Sequence, residues 1–150
     1  MKDYKLVPYK DTDHDDYIKI QKETYIHYIL DFFGVFSIEK MEEDLIRNKL
    51  GMKKILYKNK TAGYVYFMEE KDKIQVDVFT LLPEFRNFGL GTQIMSEFTS
   101  IANKVNKPIF LATFKTNPAK RFYERNGFVV VGENQSKSHF ILKYSPKTNN

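Results

Sequence analysis

The chain has 150 residues, with 24 Lys+Arg against 19 Asp+Glu for a net charge of +5, and is 42% hydrophobic and 15% aromatic. Such a chain is expected to form one soluble globular domain over residues 1–150, long enough to bury roughly two-thirds of the surface its unfolded form exposes without disulfide or metal staples. The absence of cysteine excludes a disulfide framework, a thiolate nucleophile, thiolate zinc sites and an iron–sulfur cluster.

His14, His27 and His139 are scattered without a paired motif, so no metal is expected. The segment Met1-Lys2-Asp3-Tyr4-Lys5 leads into the acidic run from Asp11 to Asp16 with no apolar stretch of signal-peptide length. No run approaches the ~20 apolar residues of a membrane helix, so a cytoplasmic protein without a membrane partner is expected. Residues 1–50 hold 8 basic and 11 acidic side chains, whereas residues 51–150 hold 16 and 8. That asymmetry reads either as ordinary solvated surface or as a polyanion site in the later part and a cation-tolerant surface in the earlier one.

The elements alternate along the chain, with no internal repeat or linker. Tyr4 to Val7 reads as a first strand, and Thr12 or Asp13 offers an N-cap to a helix that runs to about Phe32 and stops at Gly34. Ser37 caps a second helix, Ile38 to Leu50, with Met41, Leu45 and Ile46 at helical spacing and Gly51 at its end. Lys54 to Tyr57, Gly63 to Met68 and Ile74 to Leu82 follow with turns at Asn59-Lys60-Thr61 and Glu70-Lys71-Asp72, an antiparallel meander. A helix from about Gly91 to Val105 carries Ile94, Met95, Phe98 and Ile101 on one side. Pro108 opens the apolar strand Ile109 to Thr113, of the type buried on both faces. A helix from Pro118 to Arg125, ended by Gly127, leads to a hairpin of Phe128 to Val131 and Ser138 to Tyr144. The order β-α-α-β-β-β-α-β-α-β-β describes a mixed α/β sheet.

Two segments carry chemistry. In Leu81-Leu82-Pro83-Glu84-Phe85-Arg86-Asn87-Phe88-Gly89-Leu90-Gly91-Thr92, a strand enters a glycine-bearing turn that opens a helix. Such a turn lets a ligand approach the backbone closely, while free N–H groups and the helix dipole favour an anion such as a diphosphate. The turn lacks the Gly-Lys-Ser/Thr ending of a P-loop and the third glycine of a dinucleotide fingerprint. The second segment, Lys115 to Phe128, sets Phe122 and Tyr123 on a short helix. A phenol, pKa about 10, can protonate a departing thiolate; the alternative is a core tyrosine.

Together the two segments closely resemble the GNAT superfamily of acyl-CoA-dependent N-acyltransferases. Arg86-Asn87-Phe88-Gly89-Leu90-Gly91 matches the family's Arg/Gln-x-x-Gly-x-Gly/Ala signature. Asn117 with Phe122-Tyr123-Glu124-Arg125-Asn126-Gly127-Phe128 matches its Asn…Phe-Tyr-Glu-x-x-Gly-Phe signature, and the element order is the family's as well. The resemblance implies acetyl-CoA as co-substrate. The main chain of Phe79 and Leu81 would pair with pantetheine, the amides from Asn87 to Thr92 would hold the pyrophosphate, and Tyr123 would be the general acid. Asn117 lies six residues before Tyr123 where the family more often has seven, which leaves its contact with the cofactor open.

A base must take the amine's proton before attack on the thioester. Strand alternation puts Gln75, Asp77 and Phe79 on one face, making Asp77 the candidate, with Glu69, Glu70, His139 and a water chain as alternatives. The family's acceptor region corresponds here to Tyr25 through Phe36. Its aromatic residues read either as an amine pocket, with Glu23 or Asp31 attracting the charge, or as rings packing the helices onto the sheet. The expected reaction is direct acetyl transfer to a small-molecule amine. Alternatives are a protein N-terminal or lysine acetyltransferase, or a non-catalytic acyl-CoA-binding module. No nucleic acid is expected as partner; a homodimer is left open.

Overall fold

The computed structural model describes residues 2–148; Met1, named in the N-terminal reading above, lies outside them. The elements are β1 (Tyr4–Pro8), α1 (His14–Phe33), α2 (Ile38–Asn48), β2 (Met52–Tyr57), β3 (Lys60–Glu69), β4 (Ile74–Leu81), α3 (Leu90–Val105), β5 (Ile109–Phe114), α4 (Ala119–Arg125), β6 (Val129–Glu133) and β7 (His139–Tyr144). The strands form a seven-stranded sheet in the order β1-β2-β3-β4-β5-β7-β6. The residues divide into two compact units, one running to Phe67 with Val78–Arg86 added, the other comprising Met68–Asp77 and everything from Asn87 onward. The divisions fall inside β3, after Phe67, and inside β4, after Asp77.

In the first unit β1 and β2 run antiparallel from Tyr4↔Tyr57 to Pro8↔Lys53. The β2–β3 turn is tighter than the spacing of turn residues suggests. Lys58 and Asn59 both take positive φ, 49° and 66°, as a two-residue hairpin turn matched to strand twist requires, so β3 already begins at Lys60. The core is Tyr17, Ile20, Leu45, Met52 and Tyr64, with Val78 and Leu82 packed against it. Gly63 has no room for a side chain, because a Cβ there would sit 1.8 Å from the Thr80 carbonyl oxygen.

The helix starts differ in an instructive way. Ser37 caps α2 as expected, its hydroxyl accepting the Lys40 N–H at 3.2 Å. Asp13 does not cap α1 with its side chain; Asp11–Asp13 form a 3-10 turn ahead of the helix. Its carboxylate instead accepts the Lys10 N–H at 2.9 Å and the Lys54 ammonium at 2.8 Å. A charge-assisted bond to a largely buried lysine outcompetes a helix N–H. These partners hold the Asp13 pKa below its ordinary value despite the opposing effect of burial. The second helix is also shorter than its pattern predicts, ending at Asn48 before a 3-10 turn over Lys49–Gly51.

In the second unit β5 pairs with β4 in parallel at Ile74↔Ile109 and Gln75↔Phe110. It pairs antiparallel with β7, from Ile109↔Tyr144 to Phe114↔His139. The hairpin partner β6 lies outside β7, with a register shift between Val130 and Gly132. Helix α3 buries Leu90, Ile94, Met95, Phe98 and Ala102; of the stripe read from the sequence Ile94, Met95 and Phe98 are buried, whereas Ile101 is only partly so and Ala102 takes the inner position beside it. Tyr144 ties β7 to α3 by donating its hydroxyl to Asn103 Oδ1 at 2.9 Å. Among the described residues no helix is long and apolar enough to cross a membrane.

Candidate active site

β4 carries the first chemical group. Asp77 is mostly buried, and its carboxylate accepts two hydrogen bonds: one from Gln75 Nε2 at 3.0 Å, the other from the Ala112 main-chain N–H. Burial dominates these partners and the charge of Lys73, pushing the pKa from its ordinary 3.8 up to about 6. A carboxylate in that position is near the pKa a general base needs at neutral pH. Cross-strand pairing places Gln75, Phe110 and Lys143 in one row of the sheet face. The next row holds Ala112 and Ile141. Ala112 is exposed although β5 is an interior strand, so the sheet face next to Asp77 is open to an incoming molecule. The alternation that placed Phe79 on this face does not run unbroken, because Val78 between them has φ 54°.

The turn after β4 is open as well. Arg86, Asn87, Phe88, Gly89, Thr92 and Gln93 are exposed, whereas Leu90 is buried and anchors the helix start. Gly89 is the residue before α3 and takes φ 91°; it caps no helix N–H through a side chain. The first helical N–H groups, which have no carbonyl within the helix to bond, therefore face outward from a left-handed turn that also includes Asn87 at φ 68°. Backbone N–H groups arranged in this way are able to receive an anion. Arg86 folds back so that its Nε donates to the Leu81 carbonyl at 2.7 Å. It engages one lone pair of a carbonyl that the resemblance assigns to pantetheine, and leaves the second.

Tyr123 sits on α4 and is buried, its ring edge-on to Phe122 at 5.4 Å and to Phe128 at 5.9 Å. Phe128 packs on Tyr144 at 5.7 Å. Tyr144 pairs with Ile109, so this aromatic stack rests on the sheet face opposite to that of Phe110 and Ala112. The Asn117 side-chain oxygen, Oδ1, accepts the Ala119 N–H at 2.9 Å, fixing the entry to α4. One function of Asn117 is thus structural, and its amide hydrogens have no partner among the described residues.

The alternative bases lie elsewhere. Glu69 is bound by Lys107 at 2.6 Å. His139 stacks on Phe114 at 4.0 Å, and its Nδ1 lies 2.7 Å from the Ser138 hydroxyl and 3.2 Å from Asn134 Nδ2. Burial holds the imidazole pKa below its usual value. Glu23 and Asp31 on α1 are exposed. The aromatic segment near them is not all packed inward: Leu30, Phe33, Val35 and Ile38 are 45%, 48%, 71% and 41% exposed. Tyr25 does reach inward, to Thr80 Oγ1 at 2.9 Å. Among the described residues no three His, Asp or Glu side chains converge as around a metal ion.

The family described as acetyltransferase (GNAT) domain matches residues 17–143. The chain belongs to the GNAT acetyltransferases. The match takes in residues of both compact units, including β4, the glycine turn and Tyr123. Solved GNAT structures share the fold at low identity. Ard1 from Thermoplasma volcanium is 15% identical with a TM-score of 0.70, over 97% of this chain and 99% of that one. The PaiA N-acetyltransferase from Thermoplasma acidophilum, solved in complex with coenzyme A, is 20% identical with a TM-score of 0.66 over the same shares. Arabidopsis thaliana Naa50, in complex with the bisubstrate analogue CoA-Ac-MVNAL, is 17% identical with a TM-score of 0.62, covering 96% and 99%. No curated protein matches the chain in sequence.

Two contributors to the site escaped sequence reasoning. Gln75 shares a strand face with Asp77, a relation visible from alternation, but its amide was given no role. The Ala112 N–H could not be found without the parallel register of β4 and β5, which no local pattern encodes.

Proposed function

We propose that this GNAT domain transfers an acetyl group from acetyl-CoA to a primary amine by direct attack, with a small-molecule amine as the favoured acceptor. The observation that carries the reading is Asp77, a partly buried carboxylate bonded by Gln75 and the Ala112 N–H, its pKa pushed up to about 6, beside an open stretch of sheet in an acetyltransferase domain. The acceptor ammonium loses a proton to Asp77, and the amine nitrogen then bonds to the thioester carbon. The carbon–sulfur bond breaks, the departing thiolate takes the phenolic proton of Tyr123, and the second proton of the acylated nitrogen leaves to water, from which the phenolate is reprotonated. The amides of Asn87 to Thr92 would hold the pyrophosphate, the main chain of Phe79 and Leu81 the pantetheine, and the free amide hydrogens of Asn117 would be a further donor to the cofactor.

Thiol release from acetyl-CoA across polyamines, aminoglycosides, amino acids and peptides tests the proposal. Tyr123→Phe should lower kcat about 100-fold while CoA affinity, measured by calorimetry, stays within a few-fold. Unchanged turnover in that variant would remove Tyr123 as the acid. CoA binding with no thiol release on any acceptor would make the chain an acyl-CoA-binding module.

A second reading, a protein N-terminal acetyltransferase, draws support from the exposed apolar corner at Leu30, Phe33, Val35 and Ile38, a surface able to take peptide side chains. Selective turnover of peptides over free amines would favour it.

A further inference from the structure

The surroundings of Asp77 contain an ordered series of groups that the reaction scheme above does not use. Lys73 Nζ donates to Gln75 Oε1 at 3.1 Å, and Gln75 Nε2 donates to Asp77 Oδ2 at 3.0 Å. The three residues are spaced i, i+2, i+4, and side chains at that spacing share one strand face. The backbones of Lys73 and Asp77 are about 13 Å apart, and the Gln75 amide lies between the two charged groups, bonded to both.

We propose that Gln75 is a positioning residue: it fixes the Asp77 carboxylate and transmits the charge of Lys73 to it, thereby setting the pH at which the acceptor amine is deprotonated. This rests on the reading of Asp77 as the base.

The chemistry of the ends dictates the orientation of the middle. An ammonium only donates and a carboxylate only accepts, so the Gln75 amide must turn its oxygen toward Lys73 and its nitrogen toward Asp77. A glutamate at this position would set two carboxylates against each other, and a leucine would connect nothing. The positive charge on the amide oxygen polarises the group and strengthens its N–H as a donor. Both effects favour the ionised carboxylate and oppose the burial that disfavours it.

The other groups on this face contribute less. β5 presents Phe110, Ala112 and Phe114, all without charge, and the Ala112 N–H binds the carboxylate directly. β7 presents His139, engaged by Ser138, and Lys143, whose ammonium lies over the Phe110 ring at 5.7 Å. Lys73 lies over the same ring, also at 5.7 Å. At the turn before β4, Glu69 is paired with Lys107, and the Glu70 N–H bonds the Lys73 carbonyl at 2.7 Å.

The test needs no knowledge of the acceptor. The Asp77 carboxyl carbon is followed by NMR through a pH titration of the full-length protein and three variants. In Gln75→Leu the midpoint should rise by about one pH unit, and in Lys73→Met by about half of that. The double variant should rise somewhat above Gln75→Leu but by less than the two single shifts together, because Lys73 acts partly through the amide and partly as a direct charge. A midpoint unmoved in Gln75→Leu, or shifts that add in the double variant, would overturn the proposal. Lys73 is near the surface and its replacement leaves the core untouched, so its arm holds even where Gln75→Leu folds poorly. Kinetics then separate this inference from the one beneath it, with acetyl-CoA and an amine that the wild type turns over. An acidic limb of kcat/KM that moves up in Gln75→Leu and disappears in Asp77→Asn supports both. A limb that disappears in Asp77→Asn but stays put in Gln75→Leu refutes the role of Gln75. A limb retained in Asp77→Asn refutes Asp77 as the base.

Discussion

Replacing Asp77 with Asn tests the electrostatics of the site through stability, independently of turnover. A carboxyl whose pKa is carried from 3.8 to about 6 in the folded protein disfavours the folded, ionised state by about 3 kcal/mol, at 1.36 kcal/mol per pH unit. The direction follows from proton counting. Below about pH 4 both folded and unfolded chains hold the proton, and the ionisation contributes nothing. Between about pH 4 and 6 the folded chain keeps a proton that the unfolded chain has released, so stability falls as pH rises; above 6 the full cost is present. Asn has no charge and no such slope. It does present an amide nitrogen to Gln75 Nε2, donor against donor, at a cost of about 1–2 kcal/mol at all pH values. Asp77→Asn should therefore be less stable than wild type near pH 4 and more stable by about 1–2 kcal/mol near pH 8. For a chain of this size the difference in Tm would swing by about 6–12 °C across that range. Thermal unfolding at pH 4, 5, 6, 7 and 8 measures it. A difference between the two proteins that does not change with pH would refute the assignment of a desolvated carboxylate at this position.

Other residues give shorter tests. Gly89→Ala meets no steric neighbour but must hold φ 91°, so it should cost about 1–2 kcal/mol in urea unfolding and weaken CoA binding several-fold by calorimetry; Gly89→Asn should suffer less. Gly63→Ala places a methyl 1.8 Å from the Thr80 oxygen and should lose about 3 kcal/mol or more, read as a drop in denaturation midpoint. Val78→Gly relieves a left-handed β-branched residue, worth about 1–3 kcal/mol, but also removes a half-buried side chain worth about 1–2 kcal/mol. Its stability should stay near wild type while kcat/KM falls, because the strand path beside Asp77 is no longer fixed.

Most of the fold was legible because its signals are local. The order of elements, the end of α1 at Gly34 with φ 73°, the Ser37 cap and the buried stripe of α3 all follow from residues within a few positions of one another. Asp13 stands at the N-cap of α1, one of the two positions read from the sequence, but its side chain goes to Lys54, 41 residues away, which no local pattern encodes. The placement of β7 between β5 and β6 was not legible either, since a hairpin specifies that two strands pair but not which of them meets a third. The site divides in the same way. The glycine turn and Tyr123 stand in contiguous motifs, whereas the environment of Asp77 depends on a parallel register between β4 and β5.

The charge asymmetry of the sequence also changes meaning in three dimensions. The acidic first third of the chain shares its compact unit with β2 and the β2–β3 turn, which bring Lys53, Lys54, Lys58 and Lys60. Lys54 binds Asp13, and Lys49 binds Asp11 at 2.7 Å, so part of the negative charge there is neutralised within the unit and cannot serve to attract a cationic acceptor. In the other unit the glycine turn itself, Asn87 to Gln93, contains no lysine or arginine. The anion binding proposed for that turn would therefore rest on oriented N–H groups and the α3 dipole rather than on a basic side chain within it. Backbone dipoles are fixed by the fold and cannot be removed by a side-chain change. This explains why the conformation of Gly89, rather than the net charge of the chain, is the property of this segment on which binding should depend.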